Sequence, residues 1–111
     1  MELRKGTRHE VNSAVTVKNV ISGQSMGMLV NLSDDGFMII GPEQTSEGNT
    51  YQLKLELSAE ILGSNKIDLA AECLWLNLAD SEEKIWTGFR IIDIAESDRS
   101  RIIELIEQLA D

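Results

Sequence analysis

Two short stretches of this chain carry side chains that can grip a small polar anion. Arg4-Lys5-Gly6-Thr7-Arg8 sets two guanidinium forks four residues apart, with a glycine between them. Such forks match pairs of phosphate or carboxylate oxygens, and a glycine lets the segment fold around its target. Further on, Asn31, Ser33 and Gly36 stand in the pattern Asn-x-Ser-x-x-Gly. Asn supplies donors and an acceptor, and the Ser hydroxyl can do either. Gly36 leaves room for a group to approach the backbone. An ordinary polar hairpin end uses the same residue types, and a solvated terminus can carry the same basic ones.

The local periodicity says what must position them. Met26, Met28, Val30 and Leu32 recur at every second residue, the period of a half-buried strand. Phe37-Met38-Ile39-Ile40 is again strand-like, and Asp34-Asp35-Gly36 between the two is turn chemistry. The segment is therefore expected to be a β-hairpin, 25–33 and 36–41. Asn31 and Ser33 are two apart, so they leave one face of the first strand, opposite Met28, Val30 and Leu32. They form a polar shelf outside the core.

Residues 1–9 hold only Met1 and Leu3 as apolar side chains, too few to order the segment by burial. They are expected to form a flexible arm. Glu10–Asn19, with Val11, Val15 and Val17, is expected to be a first strand. Gly41-Pro42 to Asn49 is a polar loop. Tyr51, Leu53, Leu55 and Leu57 alternate with Gln52, Lys54 and Glu56, the cleanest strand pattern in the chain. Ser58–Lys66 is expected to be a loop, with Ile61 and Leu62 tucked inward. Ile67–Leu78 is a long strand with Leu69, Ala71, Cys73 and Trp75 on one face, and Lys84–Ile94 is the last strand. Then the period changes: Ile102, Ile103, Leu105, Ile106 and Leu109 fall at helical spacing. Ser97 is an N-cap candidate with Asp98 in the first turn, giving a helix at about 98–109. Short strands joined by turns and closed by one helix predict a mainly β fold, a six-stranded antiparallel barrel with a C-terminal α-helix. Residues 10–111 form its single domain.

Composition narrows the partners. Net charge is −9, distributed unevenly: four basic against two acidic residues leave +2 over residues 1–20, so the remaining 91 carry −11. An acidic body with a small basic arm suits a compact anionic ligand and argues against nucleic acid. Aromatic residues make up 5% of the chain, too few to build base-stacking platforms. No apolar run reaches the roughly 18 residues of a membrane span, and no signal peptide is expected. A single cysteine, Cys73, excludes an internal disulfide and fits a reducing cytoplasm. It sits in an apolar run, as a packing residue would. His9, the one histidine, has no cluster of metal-ligating residues around it. No catalytic triad, Cys/His pair, phosphate loop or metal spacing is present to suggest an enzyme. Asp34 and Asp35 are explained by the turn.

The two stretches, in this order and at about this separation in a short β-rich chain, resemble the PilZ domain, a family that binds the bacterial second messenger cyclic di-GMP. The family pattern is Arg-x-x-x-Arg followed by Asp/Asn-x-Ser-x-x-Gly, met here by Arg4, Arg8, Asn31, Ser33 and Gly36. The resemblance implies a six-stranded barrel with a C-terminal helix and cyclic di-GMP as ligand. Arg4 and Arg8 would meet phosphate or a guanine edge, Asn31 a guanine edge, and Ser33 a phosphate or base. An arm that orders over the ligand would act as a switch, with the changed surface read by an effector protein.

Ala71-Glu72-Cys73-Leu74-Trp75 is similar to the family strand that often ends in Trp. The last strand departs from the family's Gly-x-x-Phe: Phe89 directly follows Gly88, and Ile91 takes the usual Phe position. The family sometimes holds a stacked ligand pair with the help of an extra Arg before the first motif Arg. Leu3 stands there, which points to one ligand molecule. The competing readings are a PilZ-like adaptor without ligand binding and an oligonucleotide-binding barrel.

Overall fold

The computed structural model describes residues 9–11, 14–42, 44–79 and 84–109. Seven strands precede one helix: β1 (His9–Glu10), β2 (Thr16–Asn19), β3 (Ser25–Leu32), β4 (Gly36–Gly41), β5 (Thr50–Ile61), β6 (Ser64–Leu78), β7 (Ile85–Ile94) and α1 (Glu96–Leu109). The sheet runs β1-β3-β2-β5-β6-β7-β4, and β4 returns to pair with β3. Strands β2 to β7 thus close a six-stranded antiparallel barrel, and β1 is an extra strand beside β3. Closure leaves the barrel strands without a free edge.

The expected strand over 10–19 divides in two. His9–Glu10 pairs with Asn31–Leu32, while Thr16–Asn19 lies between β3 and β5. The loop expected over 58–66 is instead a tight hairpin. Strand β5 continues to Ile61, Leu62-Gly63 make the turn at φ of 50° and 87°, and β6 starts at Ser64. Two central residues at positive φ suit the right-handed twist of the flanking strands. Ile61 is buried as expected, but Leu62, at the turn tip, is 59% exposed.

Inward-facing residues fill the barrel. Phe37 and Phe89 stack at 5.1 Å between ring centroids, and Tyr51 meets Phe89 edge-on at 6.4 Å. Val17, Leu32, Leu53, Leu55, Ile67 and Cys73 are among those fully buried around them. The Cys73 thiol, a packing residue as expected, is pushed above its ordinary pKa chiefly by that burial. Where β3 and β4 cross, Gly27 and Gly41 bring the two backbones together. A Cβ on Gly27 would stand 2.3 Å from the Ile40 carbonyl oxygen, and one on Gly41 2.4 Å from that of Met26.

Helix α1 caps the barrel with Ile102, Leu105 and Ile106, all buried. It starts earlier than expected: the Ala95 carbonyl accepts the first intrahelical bond from the Arg99 amide at 2.9 Å. Ser97 therefore lies in the first turn and is not the N-cap. Arg101 ties the helix to the β5–β6 turn. Its Nε donates to the Ile61 carbonyl at 3.0 Å and its Nη2 to the Leu62 carbonyl at 2.9 Å, while Nη1 pairs with Asp98 at 3.1 Å. Its side chain is only 16% exposed, so these bonds are poorly replaced by water. Arg101→Ala is expected to lower stability by about 1–3 kcal/mol, read as a lower urea midpoint at unchanged slope. A midpoint equal to wild type would show that α1 is held by its apolar face alone.

Candidate functional site

The turn between β3 and β4 is built by its own side chains and braced by two other elements. The Ser33 amide donates to the Gly36 carbonyl at 2.8 Å. The Ser33 hydroxyl donates to Asp35 Oδ1 at 2.8 Å, with the Gly36 carbonyl oxygen 3.2 Å away. From β7, the Ile91 amide donates to the Asp35 carbonyl at 2.8 Å. From α1, Arg99 Nη1 donates to the Asp34 carbonyl at 3.2 Å. A turn held from three sides is a preformed platform, because groups already fixed lose little freedom when something binds them.

The face this platform presents differs from the one expected on strict alternation. A bulge between Leu29 and Asn31 shifts the β3–β4 register, and a bulge reverses which side chains point inward. Leu29 and Leu32, three apart across that bulge, are both buried, while Met28 is 39% exposed and Val30 half-buried; Met26 is buried where the β2–β3 register shifts between Val17 and Lys18. Asn31 is half-buried, with its Nδ2 4.0 Å from Met38 Sδ. Ser33 does not share an outer shelf with it: Ser33 is fully buried, its hydroxyl engaged in the turn. A second bulge, between Cys73 and Trp75, shifts β6 against β7. Cys73 is buried opposite Phe89, whereas Trp75, expected on the same face as Cys73, pairs with Gly88. Its indole lies against Gly88, where a Cβ would come within 2.2 Å of the ring.

Two neighbouring rows of cross-strand partners therefore cross the barrel wall. Asn31, Met38, Gly88 and Trp75 are cross-strand partners in one row. Gly36, Arg90 and Glu72 are partners in the next. Phe37, Phe89 and Cys73 lie one residue along and point into the core, which sets Arg90 and Glu72 facing out, while Gly36, without a side chain, is itself buried. Arg90 forms an ion pair with Glu72 and is 58% exposed. Sequence reasoning passed over Arg90. The signal was available in the alternation Thr87, Phe89 against Gly88, Arg90, but only pairing shows that Arg90 stands opposite Gly36.

Arg4 and Arg8 lie outside the described residues. The first described residue, His9, directly follows Arg8 and pairs with Leu32, the residue just before Ser33. His9, the residue that follows the Arg-x-x-x-Arg stretch, therefore sits beside the Asn31–Gly36 hairpin, an adjacency that the sequence separation hides. Among the described residues no cluster of His, Cys, Asp and Glu could hold a metal ion, and no helix is long and apolar enough to cross a membrane.

Comparison with known proteins returns no match among curated sequences. Solved structures do match. The chain is similar to the PilZ domain of YcgR from Escherichia coli, described with c-di-GMP, at 14% identity and a TM-score of 0.68, over 97% of this chain and 92% of that one. It is also similar to the inhibitor of motility MotI/DgrA of Bacillus subtilis, at 16% identity and a TM-score of 0.71, covering 97% of this chain and 52% of that one. The K. pneumonia MrkH–c-di-GMP complex gives 14% identity and a TM-score of 0.74, covering 98% and 52%. The chain thus spans about half the length of MotI and of MrkH. At these identities the likeness is one of fold. The sequence itself matches the family model of the PilZ domain over residues 2–108, a span that holds Arg4 and Arg8, the Asn31–Gly36 turn and nearly the whole helix. With that span matched and the barrel shared, the chain belongs to the PilZ domain family.

Proposed function

We propose that this protein is a bacterial receptor for cyclic di-GMP, bound through Arg4 and Arg8 and the Asn31, Ser33 and Gly36 hairpin. The observation that carries the reading is the family match across both motifs. The tether of His9 to Leu32 supports it, since it starts the arm beside the hairpin. Relatives described as complexes with c-di-GMP share the fold. The arginine forks suit phosphate oxygens or the O6/N7 edge of guanine. Asn31 suits a base edge. Ser33, buried with its hydroxyl engaged, supports the turn that holds Gly36 and its neighbours in place. The ligand closes the segment before His9 over this platform, and the changed surface is what an effector protein reads. The protein acts as a receptor, not an enzyme, in the cytoplasm.

Titration calorimetry with cyclic di-GMP tests the reading. Saturable binding is expected, weakening as ionic strength rises because arginines meet phosphates partly in solvent. Single-stranded DNA is expected not to bind at physiological salt. Absence of cyclic di-GMP binding would leave the adaptor reading, and DNA binding at that salt would favour the oligonucleotide-binding barrel.

A further inference from the structure

Resting on the receptor reading above, we infer that Arg90 is a third cationic contact for the ligand, set on the barrel itself, and that it meets a phosphate. Three observations converge on it. Arg90 stands directly opposite Gly36 in the β4–β7 register, so the space beside its stem is bounded by a residue without a side chain. Its neighbours Phe89 and Ile91 bracket it: Phe89 is fully buried, which turns the Arg90 side chain outward onto the face that carries Asn31. Its guanidinium is already oriented, because Nη2 donates to Glu72 on the adjacent strand while the side chain keeps 58% of its surface exposed.

The charge on this wall makes such a group necessary for a phosphate ligand. Asp34, Asp35 and Glu72 lie in or beside the same turn and rows, and the chain after residue 20 carries −11. A dianionic ligand approaching the hairpin meets these carboxylates first. Of the other arginines on the described chain, Arg99 is engaged with the Asp34 carbonyl and Arg101 with the β5–β6 turn. Arg90 uses one amino group on Glu72 and keeps its remaining donors for a second acceptor, since a guanidinium has five N–H groups. The strand holds it in position before the ligand arrives, so less freedom is lost on contact than for an arginine on an arm. Glu72 pairs with the guanidinium when no ligand is bound and competes with a phosphate for its donors.

The test is calorimetry with cyclic di-GMP on wild type, Arg90→Ala, Arg90→Lys and Glu72→Gln, at low and physiological salt. The expected result is that Arg90→Ala weakens binding by about 10-fold or more and flattens its salt dependence. Arg90→Lys keeps part of the affinity, because the charge remains. Glu72→Gln binds within a few-fold of wild type or more tightly, because a competing carboxylate is gone. Thermal melts of all four are expected to agree closely, since an exposed ion pair adds little stability. Failure of wild type to bind overturns the receptor reading, and this inference with it. Wild-type binding together with an Arg90→Ala affinity within threefold overturns this inference alone. A loss in Arg90→Lys equal to that in Arg90→Ala, or an unchanged salt dependence in Arg90→Ala, overturns the phosphate contact.

Discussion

Arg4→Ala and Arg8→Ala are each expected to weaken cyclic di-GMP binding by about 2–5 kcal/mol, roughly 30- to 5,000-fold, the cost of removing one partner of a closed-over charged hydrogen bond. The folding midpoint is expected to stay put. The barrel is filled by residues between Val15 and Ile106, and an arginine on a segment with only Met1 and Leu3 as apolar company contributes little to such a core. Calorimetry and a thermal melt on each variant separate the two effects. Hydrogen exchange on wild type supplies the mechanism. Ligand is expected to slow exchange of the amides of residues 1–8 and to leave those of 26–32 and 51–57 unchanged, because His9 is already paired with Leu32 and the hairpin is held in advance by Ile91, Arg99 and Ser33. Either variant binding like wild type would remove the arginines from the site. Binding without any change in the residues before His9 would remove the closure while leaving the receptor.

Gly27→Ala is expected to lower stability by about 3–5 kcal/mol. Two costs combine. Gly27 sits at φ 139°, where an L side chain is strained. The new Cβ would also lie 2.3 Å from the Ile40 carbonyl oxygen and 2.8 Å from its carbon, both backbone atoms that cannot rotate away. Relief requires β3 and β4 to separate, and that pair closes the barrel and carries the candidate site on its turn. Gly41→Ala is expected to act through the same crossing, since its Cβ would meet the Met26 carbonyl oxygen and the Gly27 Cα. The two losses should therefore combine non-additively. Gly48→Ala is the control: φ is 88° but nothing lies within 4 Å, so only the backbone cost of about 1 kcal/mol applies. Urea unfolding of the three variants decides the matter. Equal midpoints for Gly27→Ala and Gly48→Ala would show that β3 and β4 do not approach as closely as described.

Periodicity alone determined much of this protein. The alternation from Tyr51 to Leu57, the apolar run of β4 and the helical spacing of Ile102, Leu105 and Ile106 are local records of which faces are buried, and each element formed where those patterns lie. Asp34-Asp35-Gly36 determined the turn, because its chemistry is local. The two motifs, read in order, pointed to the family before any pairing was known. What only the tertiary structure decided depends on strand register, which is set between segments distant in sequence. Each face assignment assumed unbroken alternation, and a bulge advances one strand by a residue against its partner. The bulge near Val30 put Leu29 in the core and Met28 outside, and the one near Leu74 turned Trp75 onto Gly88. Ser33 looked exposed by counting from Asn31, but the turn folds it under and uses its hydroxyl. The hairpin at Leu62-Gly63 was hidden because leucine rarely adopts positive φ, and only the pairing of β5 with β6 holds it there. Arg90 faces Gly36, and His9 pairs with Leu32, for the same reason: barrel closure brings together residues whose separation along the chain carries no trace of their contact.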